Sequence, residues 1–545
     1  MKLKFTLLCL FISGISIAQS LQNLININPD GSAFEAEASQ ILATDDFLYF
    51  YANDGIHGVE LWKSDGTETG TQLIKDINSG VEDVFDDSYN SFIECAIFEV
   101  GDQIIFLADD EDHGLELWKT DGTEEGTDIL LDIYPGPTNG IPLTTDFGAF
   151  VMDDILFFQG KNEEFGAELW RTDGTVAGTY MVKNIRYLSA DSNPHEFLEF
   201  NDLLYFNGNE GFIQGGLGQE LYVTDGTEEG TFMVKDIDEG FGSSDPRSLA
   251  LAGDFFYFIA DDGLESGLWK SDGTDAGTTL IKDGIDYIIE VKAVGSRLYF
   301  SAGDEINGLE LWTSDGTTEG TVLVKDINVG ISGSSPKRFA ALNDKLYFIA
   351  ESEPFSDNLW VSDGTEAGTM KVVEGDANYP TVFNNEIIFE GPSPSSSFKH
   401  NLWRSDGTTA GTERIVMPTS NIEISFPHDY ISFQNKLYFV AFDEDSDREL
   451  WVYEPEEGSS VSNLGKADNF SISPNPTDQF ITLDFADFNK KTLTIYNTQG
   501  QQVLKRENIN NQAISINTNE FQSGVYYAEV INQKNQKRTK RFAVK

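Results

Sequence analysis

Four short apolar runs, separated by turn residues, recur along most of this chain. In one stretch they read Arg338-Phe339-Ala340-Ala341-Leu342, then Lys345 to Ala350 (KLYFIA), Asn358 to Ser362 (NLWVS) and Met370 to Val373. Asn343-Asp344, a loop around Glu353-Pro354, and Asp363-Gly364-Thr365 punctuate them, residue types that bend the backbone at low cost. No part of this region keeps a 3.6-residue apolar period, so helices are not expected. Four strands in about 48 residues is the size of one propeller blade.

The same pattern then repeats. DGTxxGT starts at Asp65, Asp121, Asp173, Asp225, Asp272, Asp315, Asp363 and Asp406, at spacings of 43 to 56 residues. A Leu-aromatic pair precedes each, as in ELWKSDGT from Glu60, and a ninth pair, Leu450-Trp451, has no such turn after it. All eight tryptophans hold this position (Trp62, Trp118, Trp170, Trp269, Trp312, Trp360, Trp403 and Trp451), with Tyr222 in the fourth unit. Repeats of this length stack because none buries its apolar surface alone. The two ends are broken in matching ways. The ninth unit supplies three strands, finishing at Leu450-Trp451-Val452-Tyr453, while Leu24 to Gly31 mirrors the fourth-strand segment Val324 to Gly330. An N-terminal strand that completes the last sheet would close a ring. The expected fold is all-β: a closed propeller of about nine four-stranded blades over residues 19–453, then a small Ig-like β-sandwich. Nine exceeds the usual four to eight blades, and an open solenoid or two smaller rings are the alternatives.

Charge narrows the partners. The chain has 545 residues and a formal net charge of -55, which repels nucleic acid and suits a soluble protein outside the cell. Residues 1–18 read as a signal peptide: Lys2 and Lys4, an apolar run from Phe5 to Ile17, and Ser16-Ile17-Ala18 before Gln19. That run is shorter than the roughly 20 residues of a spanning helix, and nothing downstream reads as a transmembrane segment. Cys9 falls inside the signal, leaving Cys95 alone in the mature chain, so disulfides do not hold this protein together. Cys95 alternates with Ile93 and Ile97, which reads as a buried strand thiol.

Candidate chemistry is sparse. The eight turn aspartates (Asp65, Asp121, Asp173, Asp225, Asp272, Asp315, Asp363, Asp406) read as scaffold, because near-identical copies around a repeat do not make one active site. The tryptophans read as anchors between adjacent blades. HExxH, GxSxG, P-loop and Cys–His signatures are absent, so no catalytic residue and no cofactor-binding residue is assigned. Arg171, Arg247, Arg297, Arg338, Arg404 and Arg448 fall at different unit positions, unlike the arginine cluster of a sialidase-type propeller. A glycosidase needs only two carboxylates, and 91 acidic residues neither support nor exclude a pair. The loops between second and third strands are acidic, and Asp54, Asp110, Asp112, Asp261, Asp262 and Asp304 are candidate calcium ligands, with solubilising surface as the alternative. Those loops open on the same face as the variable loops between units, where a rigid scaffold usually carries binding.

After Tyr453 the pattern stops, and residues 454–468 read as a linker. The charge then reverses: residues 19–468 hold 85 acidic and 24 basic residues, whereas 469–545 hold 6 and 10. Strands are expected at Phe480–Phe485, Thr492–Tyr496, Gln502–Lys505, Ala513–Ile516, Gly524–Ile531 and Thr539–Val544. Ser473-Pro474-Asn475-Pro476, Thr494-Ile495-Tyr496-Asn497-Thr498-Gln499-Gly500, Gly524-Val525-Tyr526-Tyr527 and the basic run Lys537-Arg538-Thr539-Lys540-Arg541 stand here in order. This segment resembles the type A sorting domain of the type IX secretion system of Bacteroidetes. The resemblance implies handling by that machinery, export through the periplasm, and release or surface attachment. The repeats resemble the ELWxxDGT family of secreted bacterial proteins, which implies no particular activity.

The expected function is a non-catalytic binding propeller, secreted or on the outer-membrane surface, with a glycan or protein as ligand. A propeller hydrolase or lyase acting on polysaccharide is the alternative, and a structural surface component the third reading. An enzyme should show polar residues unique to one unit converging on the central mouth.

Overall fold

The computed structural model describes residues 20–34, 41–79, 84, 97–142, 148–186, 189–211, 217–285, 288–353, 356–393, 400–415, 424–443, 447–455, 470–473, 480–485, 491–497, 502–509, 513–518, 521, 524–532 and 537–544. The expected signal peptide, Cys95 and nearly all of the expected linker lie outside the described residues. No membrane-spanning helix occurs among the described residues, which are all strand, turn or irregular.

Nine four-stranded antiparallel sheets fill the described part of the body. The seventh shows why. Lys337–Leu342, Lys345–Glu351, Asp357–Ser362 and Met370–Val373 pair in chain order, each joined to the next by a tight turn or loop. Its second strand is buried at five successive positions, Leu346 to Ala350. Both faces of the sheet are therefore covered, which explains the unbroken apolar runs where a half-exposed strand would alternate.

Core clusters lie between neighbouring sheets. Tyr347, Ile349 and Leu359 of the seventh unit pack on Ile387 and Phe389 of the eighth, with Trp403 half-buried alongside. The recurrent tryptophans otherwise sit buried in such clusters, Trp312 at 8 % exposure. The first strand of each sheet touches the first strand of the next, and Ser425–Phe433 of the ninth touches Ile41–Ala43 of the first.

The ninth sheet takes its fourth strand from the N-terminus. Ser20–Ile25 pairs antiparallel with Arg448–Glu454, Leu21 opposite Tyr453 and Asn23 opposite Trp451. The junction between ninth and first units then repeats the contacts seen elsewhere. Phe433, Tyr438, Val440 and Leu450 share one core with Leu48, Phe50 and Trp62. A Cβ on Gly122, Gly316 or Gly364 would collide with the phenol of Tyr49, Tyr257 or Tyr299 in the preceding unit, and one on Gly66 would strike Tyr438. Gly66 also has φ +87°, a backbone few other residues adopt.

The C-terminal segment folds as two sheets over one core. Phe470–Ser473, Phe480–Phe485 and Ala513–Asn517 form the first, and Gln502–Ile509, Lys491–Asn497, Gly524–Asn532 and Lys537–Val544 the second. Ile481, Leu483, Leu493, Ile495, Ile516 and Ala528 are buried between them. The strand Phe470–Ser473 was not foreseen, being too short to read apart from the expected linker.

Two outcomes follow from this packing. Deleting Leu21 to Asn28 removes the fourth strand of the ninth sheet, and the protein should melt markedly lower or aggregate; an unchanged melting curve would contradict the edge pairing. Trp312→Ala should cost about 3–5 kcal/mol in denaturant unfolding, the usual range for a buried tryptophan.

Candidate functional site

The Asp-Gly-Thr turns are built alike in every copy. In the seventh unit Asp363 Oδ1 accepts from the Thr365 amide (3.0 Å) and hydroxyl (2.7 Å), and Thr365 Oγ1 accepts from the Gly368 amide at 3.0 Å. Thr369 donates to the Thr365 carbonyl and bonds Ser362 Oγ behind it. Asp65, Asp121, Asp173, Asp225, Asp272, Asp315 and Asp406 make the same pair of bonds to the threonine two residues on. That threonine hydroxyl holds the carboxyls of Asp121, Asp173, Asp225, Asp315, Asp363 and Asp406 below their usual range.

The glutamate two residues before the recurrent aromatic pins the loops between sheets. Glu60, Glu116, Glu168, Glu220, Glu310 and Glu449 are buried. Glu60 Oε1 accepts from the amides of Ile77 (2.9 Å) and Asn78 (3.0 Å), and Glu168 from those of Ile185 (2.8 Å) and Arg186 (3.2 Å). Glu449 instead accepts from Ile27 of the N-terminal segment at 3.4 Å. Burial pushes Glu116 and Glu449 up to about 8, and Glu168 and Glu220 up to about 7.

The acidic loops are shaped by their own carboxylates. Asp54 accepts from the amides of Ile56 and His57 and pairs with His57 Nδ1 at 2.7 Å; Asp110 does the same for Asp112, His113 and the His113 ring. Asp261 caps Gly263, Asp262 caps Leu264 and Glu265, and Asp304 caps Ile306 and Asn307. Asp110 and Asp112 share one turn and Asp261 and Asp262 another, with Asp54 and Asp304 in separate units. Among the described residues no three His, Cys, Asp or Glu side chains converge as metal ligands would.

One position breaks the repetition. Five residues before the first residue of the turn that leaves the first strand, units three to nine carry Gly148, Glu196, Ser248, Glu290, Arg338, Tyr379 and Asp429 in turn. The first strand bulges there in five units, with register shifts between His195/Leu198, Arg247/Ala250, Lys337/Ala340, Asn378/Thr381 and His428/Ile431. Glu196, Ser248, Arg338, Tyr379 and Asp429 accordingly have φ of 57, 56, 59, 47 and 54°. A left-handed non-glycine residue costs about 1–3 kcal/mol and persists where its surroundings impose it. At two of the bulges those surroundings are visible, a carboxylate from the preceding unit taking the amide that the bulge frees. Glu196 Oε2 accepts from the Ser248 amide at 2.8 Å, and the two oxygens of Glu290 accept from Arg338 (2.6 Å) and Phe339 (2.7 Å).

Across the seventh to ninth units these positions form an arc. The Arg338 guanidinium lies 3.8 Å over the Tyr379 ring, which stands 6.1 Å from the His428 ring. His428 Nδ1 is held by Asp429 at 2.7 Å. The ninth unit adds a second strained residue, Phe426 with φ 54°, and its first strand is nine residues long. Phe426 packs 5.0 Å from His400 and 6.0 Å from Phe442, over which Arg448 lies at 4.7 Å. The buried Glu390 bonds His400 Nδ1 at 2.5 Å, which raises the imidazole pKa. First strands begin at the end where second-to-third loops open, so the acidic loops share this face. None of these arc residues was singled out from the sequence except Arg338 and Arg448, as dispersed arginines. The available signal was divergence at one register position among otherwise matching repeats.

Residues 471–545 match the family of secretion system C-terminal sorting domains. The C-terminal segment is a type IX secretion sorting domain. That domain implies export to the cell surface or into the medium. An endo-acting ulvan lyase of Formosa agariphila is 31% identical to this chain over 113 residues, which is 20% of this chain and 22% of the lyase. Among solved structures, a puromycin hydrolase aligns at 14% identity over 71% of this chain and 61% of its own, TM-score 0.35. An oligogalacturonate lyase in complex with manganese aligns at 11% over 66% of this chain and 87% of its own, TM-score 0.31. Likeness at these scores carries no argument about the body.

The buried glutamates set a pH dependence. Their folded pKa is raised, so the stability they contribute is complete below the unfolded value of 4.5 and is lost as pH rises through about 7–8. The turn aspartates run the other way, losing their contribution only as pH falls below the unfolded value of 3.8. The melting temperature should therefore decline from about pH 5 to pH 9, and Glu116→Gln should shrink that decline. A melting temperature that rises over this range would contradict the assignment.

Proposed function

We propose that residues 19–453 form a closed nine-bladed propeller of the ELWxxDGT type that binds an extracellular glycan or protein without chemically changing it. Three features support closure: the strand borrowed from the N-terminus, the core shared by ninth and first units, and the continuous circuit of first strands. In a propeller that circuit lines the central channel, and the bulged ends form its mouth. The observation that carries the binding reading is the arc Arg338–Tyr379–His428–Asp429, assembled from three units at strained backbone positions. Elsewhere the described polar side chains of the repeats mostly hold turns and loops in place.

Turnover of a polysaccharide is the second reading. The ulvan lyase identity favours it, as does an arc that contains a histidine held by a carboxylate at two places, His400 on Glu390 and His428 on Asp429. The two readings separate in one assay. The full mature chain incubated with acidic and neutral polysaccharides should bind without generating new chain ends, and accumulation of shorter products at a steady rate would favour the enzyme.

Export is testable separately. Truncation after Ser460 should leave the body folded in the periplasm and absent from surface and medium. The truncated protein appearing outside the cell at normal levels would contradict the role of residues 471–545.

A further inference from the structure

We propose that the mouth arc of the seventh to ninth units takes an anionic sugar residue, its carboxylate or sulfate on Arg338 and its ring beside the aromatic side chains. This rests on reading the arc as the binding site. Charge is the first argument. The chain carries -55, and its basic side chains are largely committed. Arg247 pairs with Asp245, Lys337 with Asp357, Arg404 with Glu413 and Lys436 with Glu454. Lys75 and Lys325 donate to carbonyls of the next unit. Arg338 is exposed at the mouth and has no carboxylate partner among the described residues. Its neighbour across the junction, Glu290, bonds the backbone amides of Arg338 and Phe339, and among the described residues it forms no ion pair with the Arg338 guanidinium.

Geometry is the second argument. The guanidinium carbon of Arg338 lies 3.8 Å from the centre of the Tyr379 ring, which restrains the group on that side. The edges, with their N–H donors, are what remain, and an edge presents two parallel donors matched to a carboxylate or sulfate. A lysine would give only a point charge here. His428 stands next in line, oriented through Nδ1 by Asp429, which leaves Nε2 to face a sugar hydroxyl. Phe426, held in a strained conformation, packs against His400 and Phe442 and is still 38% exposed. Arg448, stacked on Phe442, has a buried Nε without a hydrogen-bond partner. Fixed guanidinium edges beside a partly bare aromatic match a molecule that alternates anionic groups with apolar ring faces. A polyanion such as nucleic acid needs a broad positive surface, which this protein does not have.

The test is a calorimetric titration of the full mature chain with four probes of similar length: an oligogalacturonate, a sulfated oligosaccharide, a neutral oligosaccharide and a poly-glutamate peptide. The variants are Arg338→Asn and Tyr379→Asn, since asparagine tolerates the left-handed backbone at both sites, with Arg297→Asn on the opposite end of the channel as control. Melting curves report folding. At least one acidic oligosaccharide should bind, the neutral one and the peptide should not, and Arg338→Asn should weaken binding about tenfold or more, the effect of losing a charged hydrogen-bond pair. Arg297→Asn should change nothing. The carboxylate and sulfate arms identify which anion is read. Neutral sugar bound as tightly as acidic sugar, with Tyr379→Asn abolishing it and Arg338→Asn not, would overturn the anionic class while leaving the arc as the site. Acidic sugar bound undiminished by either variant would overturn the arc itself. Silence with both acidic probes, or equal binding of poly-glutamate, would overturn the proposal.

Discussion

Each sheet of the body has two apolar faces, and neither can be left to water. The second strands carry five buried positions in succession, as at Phe256–Ala260 and Leu437–Ala441, where a one-faced sheet would alternate. Such a sheet needs a neighbour on both sides, so a linear stack would always end on an exposed face. In the closed ring proposed above, that face is covered. The ninth unit alone lacks the turn sequence that leads into a fourth strand, and the N-terminal segment supplies that strand from the other end of the chain. The last junction thereby becomes equivalent to the others, with Tyr438 over Gly66 repeating Tyr49 over Gly122.

A scaffold made of equivalent junctions leaves few ways to build a site. The turns, buried glutamates and aromatic anchors are fixed by what every unit must do, so specialised residues can sit only where the repeat tolerates change. The inner end of the first strand is such a place. A bulge there puts one residue in a left-handed backbone and frees an amide that the preceding unit can cap, as Glu196 and Glu290 do. The left-handed backbone of Ser248 and Arg338 is thus supported by the junction. The arc on the seventh to ninth units lies beside the closing strand, since Arg448 donates its amide to Ser32 and accepts from Ala33.

Strand positions were legible because turn chemistry and apolar runs are local: the seventh sheet differs from its sequence reading by one residue at each of three strand ends. The origin of the ninth sheet's fourth strand was legible too, since Leu24 to Gly31 copies a motif whose place is known from every other unit. The roles of the buried glutamates were not, because a charged residue in a strand reads as solvent-facing until the loop amides that it accepts from are in place. The arc was hidden for a different reason. Its residues are chemically unlike and about fifty positions apart, and only the stacking of consecutive units makes register-equivalent positions neighbours. The acidic loops are the loudest signal in the sequence, and several of their carboxylates, Asp261 and Asp304 among them, cap their own turns.

Hydrogen exchange across the junction between ninth and first units tests the closed ring most directly. If the ring is closed, amides of Arg448–Glu454 and Leu48–Asn53 exchange as slowly as those of Asp357–Ser362, whose sheet has neighbours on both sides. Markedly faster exchange confined to the first and ninth units would show two open ends, and would contradict the account.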